Sequence, residues 1–335
     1  METLENGTYI VVNNPWKEND TLATYFLTKK NYSTEDHKNT NFIIQIPVQN
    51  VVSLSSTFLG MFSLLGEEDR IIAASEARLI YDSLLYDRYI QGDLKDLGDA
   101  FHLNVEAIIG LRTGLVMKYI YGAKENADRK LIDAGIPVAY NLEFMESHPL
   151  GRAEWIKFVA AFVDKNIQAD SIFNKIEGNY LKYSSLVKDI VDKPTVLDGS
   201  SYKGIWYAAG GQSFPARLYS DAGADYFWKS DSGTGSIPLS LEVIIENQAD
   251  ADFWIGPSSG SRAELLKIES RYALLKAFRN GNVYFFGKRV NPERGYDYYE
   301  SGVVQPDILL HDLIWAFHPE VLDKSYIPVY LEKIK

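Results

Sequence analysis

The 335-residue chain contains no cysteine. That removes disulfides, thiolate metal sites and cysteine nucleophiles together. It leaves the compartment open, because an exported protein can do without disulfides. No apolar run approaches the roughly 18 residues of a membrane span, since Asp, Glu or Lys interrupts the most apolar stretches. Histidine is scarce: His37, His102, His148, His311 and His318 show no metal-ligand spacing beside a carboxylate, which disfavours a direct zinc or manganese site. There is no G-x-S-x-G elbow and no phosphate loop. Gly233-Thr234-Gly235-Ser236 lacks the lysine and the preceding strand of such a loop and reads as surface. No pair of carboxylates is placed for acid–base work, so the chain reads as a non-enzyme with no catalytic residue. Basic residues are outnumbered, 34 against 45 acidic, giving a net charge of -11. This argues against nucleic acid and against an anionic bilayer. The opening METLENGTYI has no basic, apolar leader, so the expectation is that any signal peptide has been cut or was never there.

What is present is apolar and aromatic. Hydrophobic residues make up 46% and aromatics 13%, with 22 tyrosines and 6 tryptophans, enough for a large core with rings left for a surface site. At about 150 residues per domain the default is two lobes or one large domain. Residues 1–46 read as a β prelude packed on the first lobe, with short β-prone runs at Tyr9 to Val12, Tyr25 to Thr28 and Phe42 to Ile46. From residue 47 the pattern changes. Val51 to Ser55 reads as a buried strand, Thr57 to Leu65 as a helix closing on Gly66, and Ile71 to Ala74 as a second strand. Strand, helix, strand at this spacing predicts a parallel α/β lobe over 47–165.

An internal repeat suggests a second lobe of like construction. Residues 103–109 read LNVEAII and residues 239–245 read LSLEVII. Each begins with a capping residue, Asn104 or Ser240, followed two positions later by Glu106 or Glu242. Each then leads to a strand-like run, Leu115 to Met117 or Phe253 to Ile255. For one copy, complementing the helix dipole would explain the glutamate, at about 0.3–1 kcal/mol. Two copies, one per lobe, call for a further role. Between them the spacing predicts a helix over Gly151 to Asp164 and a long connecting helix within 166–192, ended by Lys193-Pro194. The C-terminal α/β lobe then spans 193–335. The fold class expected is α/β: two Rossmann-like lobes joined by a single long helix, with an N-terminal β extension.

The order of these segments resembles the helical-backbone substrate-binding proteins of ABC importers for ferric siderophores, cobalamin and haem. The segments are VVSLSS with its helix, LGEEDRIIAAS, LNVEAIIGL, AGIPVAYN, GIWYAAGGQSFPARLYSDAGADYFW, PLSLEVIIENQADADFWI, AFRNGNVYFF and QPDILLHDLIWAFHPE, covering residues 47–335. HPLGRAEW at 148–155 resembles a subgroup of surface lipoproteins or periplasmic proteins. Where the family usually has a Lys-Pro-Asp-Leu-Val turn, this chain has Arg112-Thr113-Gly114-Leu115-Val116. The resemblance implies a monomeric periplasmic protein or membrane-anchored lipoprotein. It would hold no permanent cofactor and would deliver a ferric siderophore, cobalamin or haem to ABC permease subunits. It also implies that Glu106 and Glu242 dock on basic residues of the permease. The alternative class is a two-lobed α/β enzyme or redox partner.

Ligands of open α/β lobes gather at the carboxyl ends of the parallel strands. In the first lobe that rule nominates Ser55 with its neighbours, Glu76 to Arg78, Tyr119 with Tyr121, and Asn141 to Phe144. In the second it nominates Trp206 and Tyr207 beside the Gly210-Gly211 turn, Ser258-Ser259, and the loop from Lys288 to Tyr299. Arg289, Arg294, Tyr296, Tyr298 and Tyr299 interleave in that loop, a composition suited to a planar or catecholate ligand held in an interlobe cleft. The ligand-binding set is therefore Ser55, Arg78, Tyr119, Trp206, Tyr207, Arg289, Tyr296 and Tyr298, with Trp206 the foremost. No metal ligand is expected.

Overall fold

The computed structural model describes residues 1–4, 7–29, 40, 42–122 and 125–335; His37 lies outside them. The chain divides into two compact units. The first comprises Met1–Met145, Glu154–Phe173 and Glu293–Gly295. The second comprises Glu146–Ala153, Asn174–Pro292 and Tyr296–Lys335.

The first unit opens with a four-stranded sheet, β1 (Glu2–Leu4), β2 (Gly7–Asn13), β3 (Thr21–Thr28) and β4 (Phe42–Gln45), in that order. The first two pairings are antiparallel and β3 pairs β4 in parallel. β3, with the β-branched and aromatic sequence TLATYFLT, is buried along most of its length. Tyr25 secures this sheet: its ring meets Phe158 and Phe162 edge-on, and its hydroxyl donates to the Val138 carbonyl at 3.2 Å.

A five-stranded parallel sheet follows, built from β5 (Val51–Ser53), β6 (Ile71–Ala74), β7 (Lys95–Asp96), β8 (Leu115–Lys118) and β9 (Val138–Tyr140). Its order is β7-β6-β5-β8-β9, so the chain winds one way from β5 and then returns to its other side at β8. Strands β5 and β8, and β9 at the sheet's edge, are buried on both faces, which is why VVS, LVMK and VAY carry no alternation. The helices are α1 (Ser56–Leu64), α2 (Ser83–Gln91), α3 (Val105–Gly110) and α4 (Asn126–Asp133).

The helix expected over Gly151 to Asp164 is two, α5 (Pro149–Glu154) and α6 (Ile156–Val163), broken at Trp155. Next comes α7 (Asn166–Val187), 22 residues long, and the boundary between the units falls inside it. It ends before Val191. Asp189 and Asp192 would set negative charge against the carbonyl end of a longer helix.

The second unit holds β10 (Thr195–Asp198), β11 (Ser200–Tyr202), β12 (Ile205–Ala209), α8 (Phe214–Asp221), β13 (Asp225–Tyr226), β14 (Ser236–Leu239) and α9 (Leu241–Gln248). It continues with β15 (Phe253–Ile255), α10 (Arg262–Ile268), α11 (Lys276–Asn280), β16 (Val283–Phe285), α12 (Pro306–Phe317) and β17 (Glu332–Lys333). One sheet runs β13-β10-β15-β16-β17, parallel except for β17; the other is the antiparallel β11-β12-β14. Gly199 joins the two sheets at φ 91°, and a Cβ there would stand 2.0 Å from the Tyr207 carbonyl, so only glycine fits.

Candidate functional site

In the first unit the carboxyl ends of the strands bound a cavity of about 280 Å³. It sits where the winding of the sheet reverses, between the ends of β5 and β8, the place where doubly wound sheets bind ligands. Ser55, Glu76, Tyr119 and Tyr121 all line it. Ser55 caps α1 by accepting the Thr57 amide at 3.3 Å and donates its own proton to Tyr119 Oη at 3.1 Å. Tyr119 in turn donates to the carboxylate of Glu143, which is wholly buried. Burial, reinforced by Glu143, raises the Tyr119 pKa and keeps the phenol protonated. The same two influences raise Tyr121.

Aromatic rings cluster on one side, with Leu54, Leu59, Leu79 and Ile80 also in the lining. Tyr119 meets Phe58 and Phe144 edge-on at 4.7 and 5.0 Å, and Tyr121 lies 5.1 Å from Phe144. The outermost pair is Phe101 stacked on Tyr121, at 6.1 Å and 25°. Their exposures are 76% and 58%, so two large rings stand open to solvent beside a cavity. Asp99 shapes the turn that carries Phe101: its carboxylate accepts the Phe101 amide at 2.9 Å and faces His102 Nδ1 at 2.8 Å.

Three more lining residues are charged, Glu76, Lys118 and Glu125. Glu76 holds a left-handed backbone (φ 47°) without being glycine, a conformation that costs about 1–3 kcal/mol and clusters at functional sites. Lys118, at the end of β8, is buried with its ammonium on Asp128 at 2.8 Å and Glu125 at 3.0 Å, and Tyr140 donates to Asp128 at 3.0 Å. Neither Phe101 nor Lys118 stands among the residues expected from sequence. Asp99 is a turn-forming residue, but nothing in the sequence tied its turn to a strand end, so Phe101 was missed; no signal pointed to Lys118.

Arg78 lies off the cavity lining, exposed and 3.6 Å from Glu76.

In the second unit the expectations need correction. Trp206 is no ligand platform: it is 0% exposed, packs on Trp254 at 5.5 Å and Tyr272 at 6.0 Å, and donates Nε1–H to the Asp198 carbonyl at 2.8 Å. Side chains alternate along β12, so its neighbour Tyr207 points the other way and is 40% exposed. Arg289 is committed to Asp297 at 2.6 Å and lies over the Tyr330 ring. Tyr296 packs edge-on against Phe285 at 5.4 Å, and Tyr298 stacks on Phe286 at 4.4 Å. The ring that the loop leaves open is Tyr299. At the end of β10 Asp198 accepts the Ala209 amide at 2.9 Å and the Tyr219 hydroxyl, and burial pushes its pKa up to about 6.

The repeated helices are capped alike: Asn104 accepts the Ala107 amide at 3.0 Å and Ser240 the Val243 amide at 3.4 Å. Glu106 and Glu242 are both exposed in the first turns. Their surroundings differ. Glu242 is paired with Arg271 at 2.6 Å, and that bond lowers its pKa. Glu106 has no ion-pair partner among the described residues. Nor do the described residues contain a cluster that could hold a metal ion, or a helix long and apolar enough to cross a membrane.

Residues 51–290 match the family model described as "Periplasmic binding protein". An uncharacterized lipoprotein of Methanocaldococcus jannaschii is 27% identical over 288 residues, covering 83% of this chain and 67% of that protein. Among solved structures, a periplasmic heme binding protein from Pseudomonas aeruginosa matches with TM-score 0.65 and 18% identity, over 86% of this chain and 98% of that one. A periplasmic binding protein from Veillonella parvula matches with TM-score 0.64 and 16% identity, over 98% of this chain and 96% of that one. The likeness to solved structures extends the two-lobed α/β fold to nearly the whole chain.

Proposed function

The chain belongs to the periplasmic binding protein family, and from that premise we propose that it captures a metal chelate, of the iron-chelate or tetrapyrrole kind, and hands it to an ABC permease. The observation that carries this reading is the exposed Phe101–Tyr121 stack over a cavity at the switch point of the first sheet. Two flat rings open to solvent suit a flat or ring-bearing ligand, which they desolvate and stack. The hydrogen-bonded series Ser55–Tyr119–Glu143 holds the wall behind them in one arrangement before the ligand arrives. Such preorganisation lowers the ordering cost of binding. Tyr207 and Tyr299, two exposed rings of the second unit, are further candidates for cargo contact. The chain carries its ligand as cargo, without turnover. Its extracytoplasmic placement with a lipid anchor is supported by the lipoprotein relative.

Docking runs through Glu106 and Glu242, each at the head of a capped helix where a carboxylate is already favoured. Charge pairs at such positions steer the encounter and fix its register.

The test is a fluorescence titration of the purified chain with ferric siderophores, cobalamin and haem, alongside the Phe101→Ala/Tyr121→Ala double variant. Saturable one-to-one binding by one class, weakened tenfold or more in the variant, is the expected outcome. Saturable binding unaffected by the variant would move the site elsewhere, and product formation from any probe would return the chain to the enzyme class. For docking, Glu106→Ala and Glu242→Ala should each lower cargo-dependent stimulation of the transporter's ATPase while leaving cargo affinity unchanged.

A further inference from the structure

The cavity of the first unit has a charge balance as well as a shape. Glu76, Asp99 and Glu125 line it, and the cation among the lining residues is Lys118, already held by Glu125 and Asp128. Behind the tyrosine wall the buried Glu143 accepts the hydrogen bond of the Tyr119 hydroxyl. Two arginines lie near the cavity, outside its lining. Arg78 faces Glu76 at 3.6 Å, and the exposed Arg294 precedes Gly295, whose backbone lies against Leu79 of the wall. The acidic groups outnumber these cations. The rings add to the same sign, because an aromatic face presents negative potential and attracts positive charge.

We propose that this cavity selects a neutral or cationic chelate with a flat or apolar face and rejects polyanionic complexes. The inference rests on the chelate-capture reading above and names its charge class. A trianionic complex entering here would bring its charge against Glu76, Asp99 and Glu125 in a partly enclosed space, where salt screens less than in bulk. A cationic complex would meet carboxylates and ring faces together. Electrostatic complementarity of this kind acts mainly on specificity, by making the wrong partner costly. It also separates the cavity from the loop around Arg289. The arginine that would have favoured a catecholate complex is neutralised by Asp297.

The experiment is equilibrium titration of the full chain with four probes at low and high salt: a cationic and a neutral ferric tris-hydroxamate, a trianionic ferric tris-catecholate, and haem with its two propionates. A neutral or cationic probe is expected to bind at least tenfold more tightly than the tris-catecholate, and added salt should weaken the cationic probe selectively. Glu76→Gln, its fold checked by circular dichroism, should weaken the cationic probe several-fold and favour the anionic ones. Tighter binding of the tris-catecholate or haem than of either hydroxamate overturns the charge assignment and leaves chelate capture standing. If none of these probes, nor cobalamin, binds, chelate capture itself falls and the charge assignment with it.

Discussion

The hydroxyl of Tyr25, on a strand of the N-terminal extension, accepts the backbone N–H of Tyr140 at 3.0 Å. The same oxygen donates to Val138, so one side chain ties the extension to β9 of the parallel sheet while remaining wholly buried. Tyr25→Phe keeps the ring packing and removes both bonds, leaving a buried amide without its acceptor. The expected cost is about 1–3 kcal/mol, read as a lowered midpoint in urea unfolding with an unchanged slope. An unchanged midpoint would mean that the extension is held by ring packing alone.

Lys118 sets a larger stake. Its ammonium lies between Asp128, which is 0% exposed, and Glu125. Lys118→Met removes the cation and leaves Asp128 buried with the Tyr140 hydroxyl as its remaining side-chain donor. Stranding one charge of a buried pair costs about 3–5 kcal/mol. The Lys118→Met/Asp128→Leu double variant should recover most of that loss, since a well-packed apolar pair avoids the desolvation of both ions. Equal instability of the single and double variants would argue against the ion pair as the cause.

Much of this frame can be read from the residues. Val51 to Ser53, Ile71 to Ala74 and Phe253 to Ile255 are apolar runs between turn signals, and each is a strand. The caps at Asn104 and Ser240 follow from local chemistry and stand where the repeat places them. Ser55 and Tyr119 are found at the cavity because the carboxyl-end rule depends only on knowing the strands. The two-residue β7 has the polar sequence Lys-Asp and no hydrophobic pattern, so Phe101 beyond it was hidden. Trp206 and Tyr207 show a different limit. Alternation says that one points inward and the other outward, but parity relative to the core is a tertiary fact. Arg289 and Asp297 are eight positions apart in a loop, and an isolated bridge between Val290 and Tyr296 folds them together.

The correction at Trp206 gives a sharp contrast between variants. Trp206→Ala empties a core position against Trp254 and Tyr272 and should cost about 3–5 kcal/mol of stability. Phe101→Ala removes a ring that is 76% exposed and should leave the unfolding midpoint nearly unchanged while weakening ligand binding. Thermal unfolding and ligand titration on both variants separate the roles. Loss of stability in Phe101→Ala comparable to that in Trp206→Ala would make the exposed ring a packing residue after all.

Asp198 predicts a pH dependence of stability. Burial raises its carboxyl to about 6, against about 3.9 in an unfolded chain. Between these values the native state holds a proton that the unfolded chain has released, so stability falls as the pH rises through roughly 4 to 6 and levels off above. The shift corresponds to about 3 kcal/mol as an upper figure. Burial raises Asp307 and Asp312 in the same direction, so the slope of the wild type alone does not isolate one group. Asp198→Asn does. Its amide oxygen can accept the Ala209 N–H while its NH2 donates to Tyr219 Oη, which reverses the bond to Tyr219 and abolishes the titration. Urea unfolding at intervals from pH 4 to 7 should show a shallower decline for the variant, which becomes the more stable of the two at pH 7. Parallel curves for wild type and variant would show that Asp198 ionises in the native protein as it does in water.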